Sequence, residues 1–383
     1  MAKSLTPKQA AELAQGVYGI RVGGEVKGAF AKSEARNIFD LENRDARLTG
    51  RSGGVFGCDT GFGVVSRGQG VRSNELLIVT RGTEKTSVND WYSNAMATWT
   101  LSGKPVHTGF NKIFQTFQSE LGEKISGMDI SRVHCVGHSL GGALANLVAD
   151  WMLSKNLAKE AEVYTFGAPR VGFKRFAESL TTSVSAARIH RVYHHSDVVP
   201  MLPVWPFWHG PEPGDVCYVR AAGESDRPGA EYHDMKHYVK SMKRFSSWDN
   251  VQKKAPPTHM DKQVEAWLAS DSSLSFTTNT FSLIRSSMLY IVKQAAALGM
   301  QLVVGVGVHV VDALAGFLIK VVDLGKRFVD LVASLMRRIL QTLGVVVVES
   351  ANVTYQFVKW VLHKLSATLW KMAELAMRMT HND

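Results

Sequence analysis

Gly137-His138-Ser139-Leu140-Gly141-Gly142 follows the apolar run Val133-His134-Cys135-Val136 and leads into Ala143-Leu144-Ala145-Asn146-Leu147-Val148-Ala149. The first run reads as a buried strand and the second as an apolar helix. A serine between glycines at such a strand-to-helix junction is the arrangement that exposes a nucleophilic hydroxyl on a strained turn. The glycines allow the tight turn and the close approach of the helix. A G-x-S-x-G string arises by composition about once in ten chains of this length, so its setting and its partners decide the reading.

The chain has 383 residues, enough for one large domain with a smaller unit or for two ordinary domains. Three cysteines, Cys58, Cys135 and Cys217, cannot build a disulfide framework and suit a reducing compartment. Cys135, on the strand before Ser139, reads as a packed core residue rather than a reactive thiol. Lys3 and Lys8 flank no apolar core, so no signal peptide is expected, and Thr6, Pro7 and Gln9 read as N-cap, first helical residue and capping-box partner. The expected location is therefore synthesis in the cytoplasm, followed by membrane association or export without a signal peptide. The net charge of +10 points to anionic surroundings. No basic-aromatic motif or zinc spacing accompanies it, which disfavours nucleic acid and leaves lipid headgroups.

Residues 1–267 alternate short apolar runs, glycine-rich turns and helical stretches, the pattern of an α/β sheet protein. Glu75–Thr80, Glu162–Phe166 and Arg188–Tyr193 read as strands. Gly53–Phe56 with Gly61–Val65 reads as a hairpin ahead of them. Residues 268–280 are polar and read as a linker, and residues 281–383 form a helical unit with eleven Lys/Arg against six Asp/Glu. Phe328, Leu331, Leu335, Ile339 and Thr342 make one apolar stripe, with Lys326, Arg327, Asp330, Arg337 and Arg338 on other faces. Phe357, Trp360, Val361, Lys364, Leu365 and Leu369 suggest another helix. Gln294–Val311 carries no formal charge and matches the short limit of a bilayer span, weakened by three glycines, two glutamines and His309. The unit thus fits first a bundle docked on the first domain or self-associating, and next a membrane-binding element.

A serine hydroxyl needs a histidine to take its proton and a carboxylate to fix the histidine tautomer. In the fold that uses this turn the chain order is serine, acid, histidine. Asp197 directly follows the strand ending at Tyr193, which puts it on the same rim of the sheet as Ser139. Asp215 and Asp234 lack such a strand. Of the later histidines, His209, His233, His237 and His259 among them, His233 is selected because it ends a loop and starts a helix that Tyr238 and Met242 would anchor. The backbone N–H of Leu140 and a second donor in Arg81-Gly82-Thr83, where Thr83 offers N–H and hydroxyl, would hold the oxyanion.

These residues resemble the class 3 lipase family, the fungal-type triacylglycerol lipases and their bacterial relatives, over roughly residues 5–247. The segments that carry the likeness are Arg81-Gly82-Thr83 with Asp90-Trp91, Val106–Phe110, Gly137–Ala143, Thr165–Gly172, Asp197–Pro203, and His233-Asp234-Met235 with Tyr238. The resemblance implies an α/β-hydrolase fold with catalytic Ser139, Asp197 and His233 and an oxyanion hole at Thr83 and Leu140. It also implies a lid around Glu84–Thr100, where Trp91, Tyr92, Met96 and Trp99 would meet lipid. The aromatic, proline-rich Pro203–Pro211 departs from the family and reads as an acyl-groove wall or an interfacial wedge. The helical unit looks like the extensions of bacterial lipases used as type VI secretion effectors, which would bring a delivery machine and an immunity partner.

The expected activity is hydrolysis of carboxylic esters of glycerolipids, triacylglycerol or phospholipid, through an acyl-enzyme at an anionic membrane surface. No metal or organic cofactor is expected. The rival readings are a soluble short-chain esterase with an oligomerising tail, and a membrane-perturbing protein whose helical unit does the damage.

Overall fold

The computed structural model describes residues 4–20, 26–42, 46–52, 58–82, 96–100, 102–214, 216–219, 221, 223–254, 259–272, 274–305, 308–346 and 352–379. In chain order the helices are α1 Pro7–Gly16, α2 Val26–Phe30, α3 Thr108–Ile125, α4 Leu140–Ser154, α5 Lys174–Val184, α6 Met235–Met242, α7 Asp261–Ala269, α8 Thr278–Ala296, α9 Val310–Val322, α10 Lys326–Thr342 and α11 Tyr355–Met379. The strands are β1 Arg47–Ser52, β2 Cys58–Arg67, β3 Glu75–Thr80, β4 Ala97–Trp99, β5 Pro105–His107, β6 Arg132–His138, β7 Glu160–Phe166, β8 Gly172–Phe173, β9 Ile189–Tyr193, β10 Phe207–Trp208, β11 Val216–Tyr218 and β12 Lys253–Lys254.

The main sheet runs β1-β2-β3-β6-β7-β9-β11-β12. Its centre, β3 to β11, is parallel, and antiparallel pairs flank it at both ends. Successive residues of a strand point to opposite faces, so a sheet buried on both sides must be apolar at every position. In β3, Leu76 and Ile78 join the core under α3 and α4, while Leu77 and Val79 join the core under α1 and α6. Helices thus cover both faces of a mixed sheet, and the chain has the α/β-hydrolase fold with a helical region at its carboxyl end. Gly61–Val65 lies in β2, which pairs with β1, while Gly53–Phe56, the other arm of the expected hairpin, lies outside the described residues. The capping box at Thr6 forms as the sequence indicates. A smaller sheet, β10-β8-β5-β4, stands beside α5.

The later helices pack onto this domain. Phe281 and Ile284 of α8 and Leu365 and Leu369 of α11 share one apolar core with Val198, Val199, Leu202 and Trp205. Helix α11 also lies against the short turn Ala230–His233. Of the stretch 268–280, Leu268 and Ala269 close α7 and Thr278–Thr280 open α8, whose N-cap is Thr277.

Two sequence expectations about this region fail. Gln294–Val311 is not a span: α8 ends at Ala296, α9 begins at Val310, and the described residues between them form no helix. Among the described residues no helix is long and apolar enough to cross a membrane. Arg338 does not face solvent; it is 1% exposed, with its guanidinium 4.8 Å from the Trp267 ring centre and Nη1 donating to Ser272 O. A long side chain on the edge of an apolar stripe can bury its stem and still pair its head. The rest of the α10 stripe, Phe328, Leu335, Ile339 and Thr342, is buried as its spacing requires, with Leu331 half-buried. In α11 Val361, Leu365 and Leu369 are buried, Phe357 is half-buried, and Trp360 and Lys364 are exposed, the ammonium lying over the indole.

Candidate active site

Ser139 sits between the last residue of β6 and the first of α4 with φ 56° and ψ −131°, a left-handed conformation that costs a non-glycine residue about 1–3 kcal/mol. The surroundings enforce it. Ser139 N donates to Phe166 O on the neighbouring strand at 3.0 Å, and Thr80 Oγ1 donates to Gly141 O at 2.6 Å, pinning the first turn of α4 to β3. A Cβ on Gly141 would lie 2.2 Å from Thr80 O, so only glycine admits this approach. The turn aims the serine hydroxyl at the rim where β6, β7 and β9 end.

Asp197 follows β9 and is 1% exposed. His233 closes the turn before α6 and is fully buried. Its Nδ1 lies 2.8 Å and 3.0 Å from the two carboxylate oxygens of Asp197, and its Nε2 lies 2.9 Å from Ser139 Oγ. Because a carboxylate only accepts, Nδ1 carries the proton and Nε2 is free to accept from the serine hydroxyl. Asp197 is itself saturated: Val199 N donates to Oδ1 at 2.9 Å and the Tyr238 hydroxyl donates to Oδ2 at 2.6 Å. Burial and that carboxylate push the Tyr238 phenol well above its ordinary range, so it remains a donor.

Three supports were not legible in the sequence. Gly167 has φ 54°, and a Cβ there would meet Asp197 Oδ2 at 2.6 Å and His233 Nδ1 at 3.1 Å; its absence makes room for the acid–base pair. His138 Nε2 donates to the backbone carbonyl of His233 at 2.8 Å, which leaves Nδ1 to accept from the Tyr18 hydroxyl at 2.7 Å. The His194 ring stacks on that of Tyr238 at 3.9 Å between centres, and the His194 backbone N–H donates to the Tyr238 hydroxyl. The only local signal was Thr165-Phe166-Gly167, a strand running into glycine at the correct rim. Tyr18 lies 120 residues from its partner and carried none.

The structure therefore brings Ser139, Asp197 and His233 together. Leu140 is the first residue of α4, whose opening N–H groups have no acceptor within the helix and point toward the serine side of the turn. Thr83, Trp91 and Tyr92 lie outside the described residues. Met96 bridges to His309 just ahead of β4, and Trp99, at the end of β4, is 49% exposed. The rivals have other work: Asp234 caps α6 by accepting from Lys236 N, His209 donates to Pro200 O, and His259 pairs with Ser282. Asp215 lies outside the described residues. Elsewhere, His309, Asp312 and His363 present ligand atoms close enough to share a metal ion, although Lys359 Nζ, 3.1 Å from Asp312, competes for the carboxylate.

The model of the class 3 lipase family matches residues 77–207, which run from β3 to the start of β10 and hold Ser139 and Asp197. A secreted mono- and diacylglycerol lipase of Fusarium solani is 31% identical over 177 residues, 44% of this chain and 50% of that protein. The toxin TseL of Vibrio cholerae is 29% identical over 125 residues, 32% of this chain and 19% of that one. The alignments thus span half or less of these relatives. The solved triacylglyceride lipase of Rhizomucor miehei overlays with a TM-score of 0.39 at 22% identity, covering 56% of this chain and 78% of that chain.

Proposed function

We propose, from the premise that residues 77–207 are a class 3 lipase segment, that the chain hydrolyses carboxylic esters of glycerolipids through an acyl-enzyme. The observation that carries this reading is the relay itself: Ser139 Oγ to His233 Nε2 at 2.9 Å and His233 Nδ1 to Asp197 Oδ2 at 2.8 Å, set on a strained turn. His233 takes the serine proton as Oγ attacks the acyl carbonyl. The oxyanion is held by Leu140 N–H at the positive end of α4, with Thr83 as the second donor. Protonated His233 then gives its proton to the departing glycerol oxygen, and Asp197 stabilises the imidazolium meanwhile. Water repeats the sequence on the acyl group and frees a fatty acid. Ser139 is only 3% exposed, so the ester reaches it after a cover moves, as a lid over residues 84–100 would.

The favoured surface is an anionic bilayer, where the chain acts as a membrane-associated phospholipase. Supporting this are the net charge of +10 and the apolar side chains that the loops between the later helices expose, Val303 and Val346 most fully. Each Lys or Arg near such a surface contributes about 1 kcal/mol of attraction. The likeness to a protein named as a toxin supports a role as a delivered antibacterial effector with an immunity partner. The test is fatty-acid release from anionic phospholipid vesicles and from triacylglycerol emulsion, by the chain and its Ser139→Ala variant in parallel. Release that depends on Ser139 and is faster on vesicles is expected; equal traces from both proteins would overturn the hydrolytic reading, and faster release from emulsion would overturn the choice of surface.

A further inference from the structure

Behind the catalytic acid lies a cavity of about 770 Å³, bounded by β9, the loop 200–214 and one face each of α8 and α11. Its size falls within the range of small-molecule sites. Its lining combines two chemistries. Three arginines, Arg170, Arg191 and Arg285, line it with His209, and so do the apolar side chains Ile284, Met288, Leu365 and Leu369. The proline-rich stretch 203–211, which the fold alone does not explain, supplies Trp205 and Trp208 to the lining.

Among the described residues the three arginines have no ion-pair partner. Arg191 is 8% exposed, and neither it nor Arg285 has a hydrogen bond or ion pair to any described residue. Their contacts are with rings: Arg191 lies 4.9 Å from the Tyr193 centre and Arg285 lies 4.5 Å from that of Trp208. The Nε atoms of both are buried without an acceptor. Arg170 donates to the carbonyls of Met201 and Pro203. Two carboxylates also line the space. Asp197 is committed to His233, Tyr238 and Val199, and Glu212 acts on Arg285 only through the field. Burial and mutual repulsion hold Arg170 well below its ordinary range and bring Arg191 down to about 10. A buried charge without a partner is costly, and a forked guanidinium trio facing open space is matched by an anion with two or three oxygens.

We propose that this cavity is a binding site for a single-chain anionic amphiphile, its carboxylate or phosphate head on Arg170, Arg191 and Arg285 and its hydrocarbon chain against Ile284, Met288, Leu365 and Leu369. Of the relay only Asp197 lines the space, so the site adjoins the hydrolytic centre without containing its nucleophile or its base. The occupant bridges the catalytic domain and the helical region, because Arg191 and Arg285 belong to one and the other.

The test uses the full-length Ser139→Ala chain, so that binding is read without turnover and stands or falls independently of the hydrolytic reading. Dodecyl phosphate, dodecanoate, monododecanoylglycerol and inorganic phosphate are titrated below micellar concentration by calorimetry and tryptophan emission. Saturable one-to-one binding of a C12 anion is expected, and the stronger of the two anions identifies the head. The neutral glyceride and inorganic phosphate should bind at least tenfold more weakly. Arg285→Gln and Arg191→Gln should each weaken the anion at least tenfold, while the unliganded thermal midpoint of Arg285→Gln stays level or rises because a repelled charge is gone. Equal binding of the neutral glyceride, equal binding of inorganic phosphate, or undiminished anion binding in both variants would overturn the proposal.

Discussion

Met96 pairs with His309 as an isolated antiparallel bridge, which ties the carboxyl end of the expected lid to the N-cap of α9. On its other side Met96 O accepts from both the N–H and the hydroxyl of Thr108. The lid proposed over residues 84–100 would thus be anchored near its carboxyl end by the catalytic domain and by the helical region together. Cross-linking the pair should hold the cover in place. In a Cys58→Ser background, Met96→Cys with His309→Cys places two thiols at a separation that antiparallel bridge partners allow a disulfide to span. Oxidation is expected to lower ester turnover at least tenfold and reduction to restore it; equal rates before and after oxidation would show that the cover opens without parting this bridge.

Gly167 controls the room for the acid–base pair. Gly167→Ala would place a methyl group 2.6 Å from Asp197 Oδ2 at a φ of 54°, so kcat should fall about 100-fold with KM little changed. Gly103→Ala is the control, since its φ is 71° but nothing lies within 4 Å of the added carbon. That variant should cost only about 1 kcal/mol of stability and leave kcat intact. Similar rate losses in both would mean that backbone strain rather than crowding of the carboxylate is responsible.

What the sequence made legible follows from the range of each interaction. Ser139, Asp197 and His233 were found because each stands at the end of a strand or loop whose own pattern is local: β6 before the serine, β9 before the acid, α6 after the histidine. Strand alternation in β3 could not reveal two separate cores, because residues buried on both faces form one continuous apolar run. Tyr18 and the arginine trio were missed for the opposite reason. Nothing in the vicinity of Tyr18 marks it as the donor to His138, and Arg170, Arg191 and Arg285 lie too far apart in the chain for any local pattern to bring them together. Arg338 was misplaced because its helical position is polar in pattern while its neighbour in space, Trp267, lies on another helix.

Tyr18 acts on the base through His138. Removing its hydroxyl frees the His138 tautomer, which no longer has to present Nε2–H to the carbonyl of His233, and leaves a buried acceptor unpaired at about 1–3 kcal/mol. Tyr18→Phe should lower kcat severalfold with KM unchanged and reduce the thermal midpoint. A lower midpoint with kcat intact would assign Tyr18 a purely structural role.

Acid should destabilise the fold through histidines held neutral. Burial brings His194 down to about 4 and His107 down to about 3, and holds His209 well below its ordinary value. Two of them have hydrogen bonds that need the neutral ring: His194 accepts from the Ser241 hydroxyl at Nε2 while donating from Nδ1 to Tyr232 O, and His107 Nδ1 accepts from Gly109 N. Unfolded, each would titrate near 6.5. Between that value and the folded one the unfolded chain binds more protons, so stability is fully present above about pH 7 and is lost as pH falls. The loss approaches about 1.4 kcal/mol per pH unit per histidine. The buried carboxylate of Glu162, drawn down to about 2 although burial opposes it, by hydrogen bonds and the nearby His134 and His190, adds its own loss only below about pH 4.5. Thermal melts should therefore show a plateau above pH 7 and a steep fall between pH 6.5 and 5. His194→Gln should make that fall shallower, one of the buried neutral histidines having been removed. A midpoint unchanged from pH 7 to 5 would mean that these rings reach solvent in the folded chain.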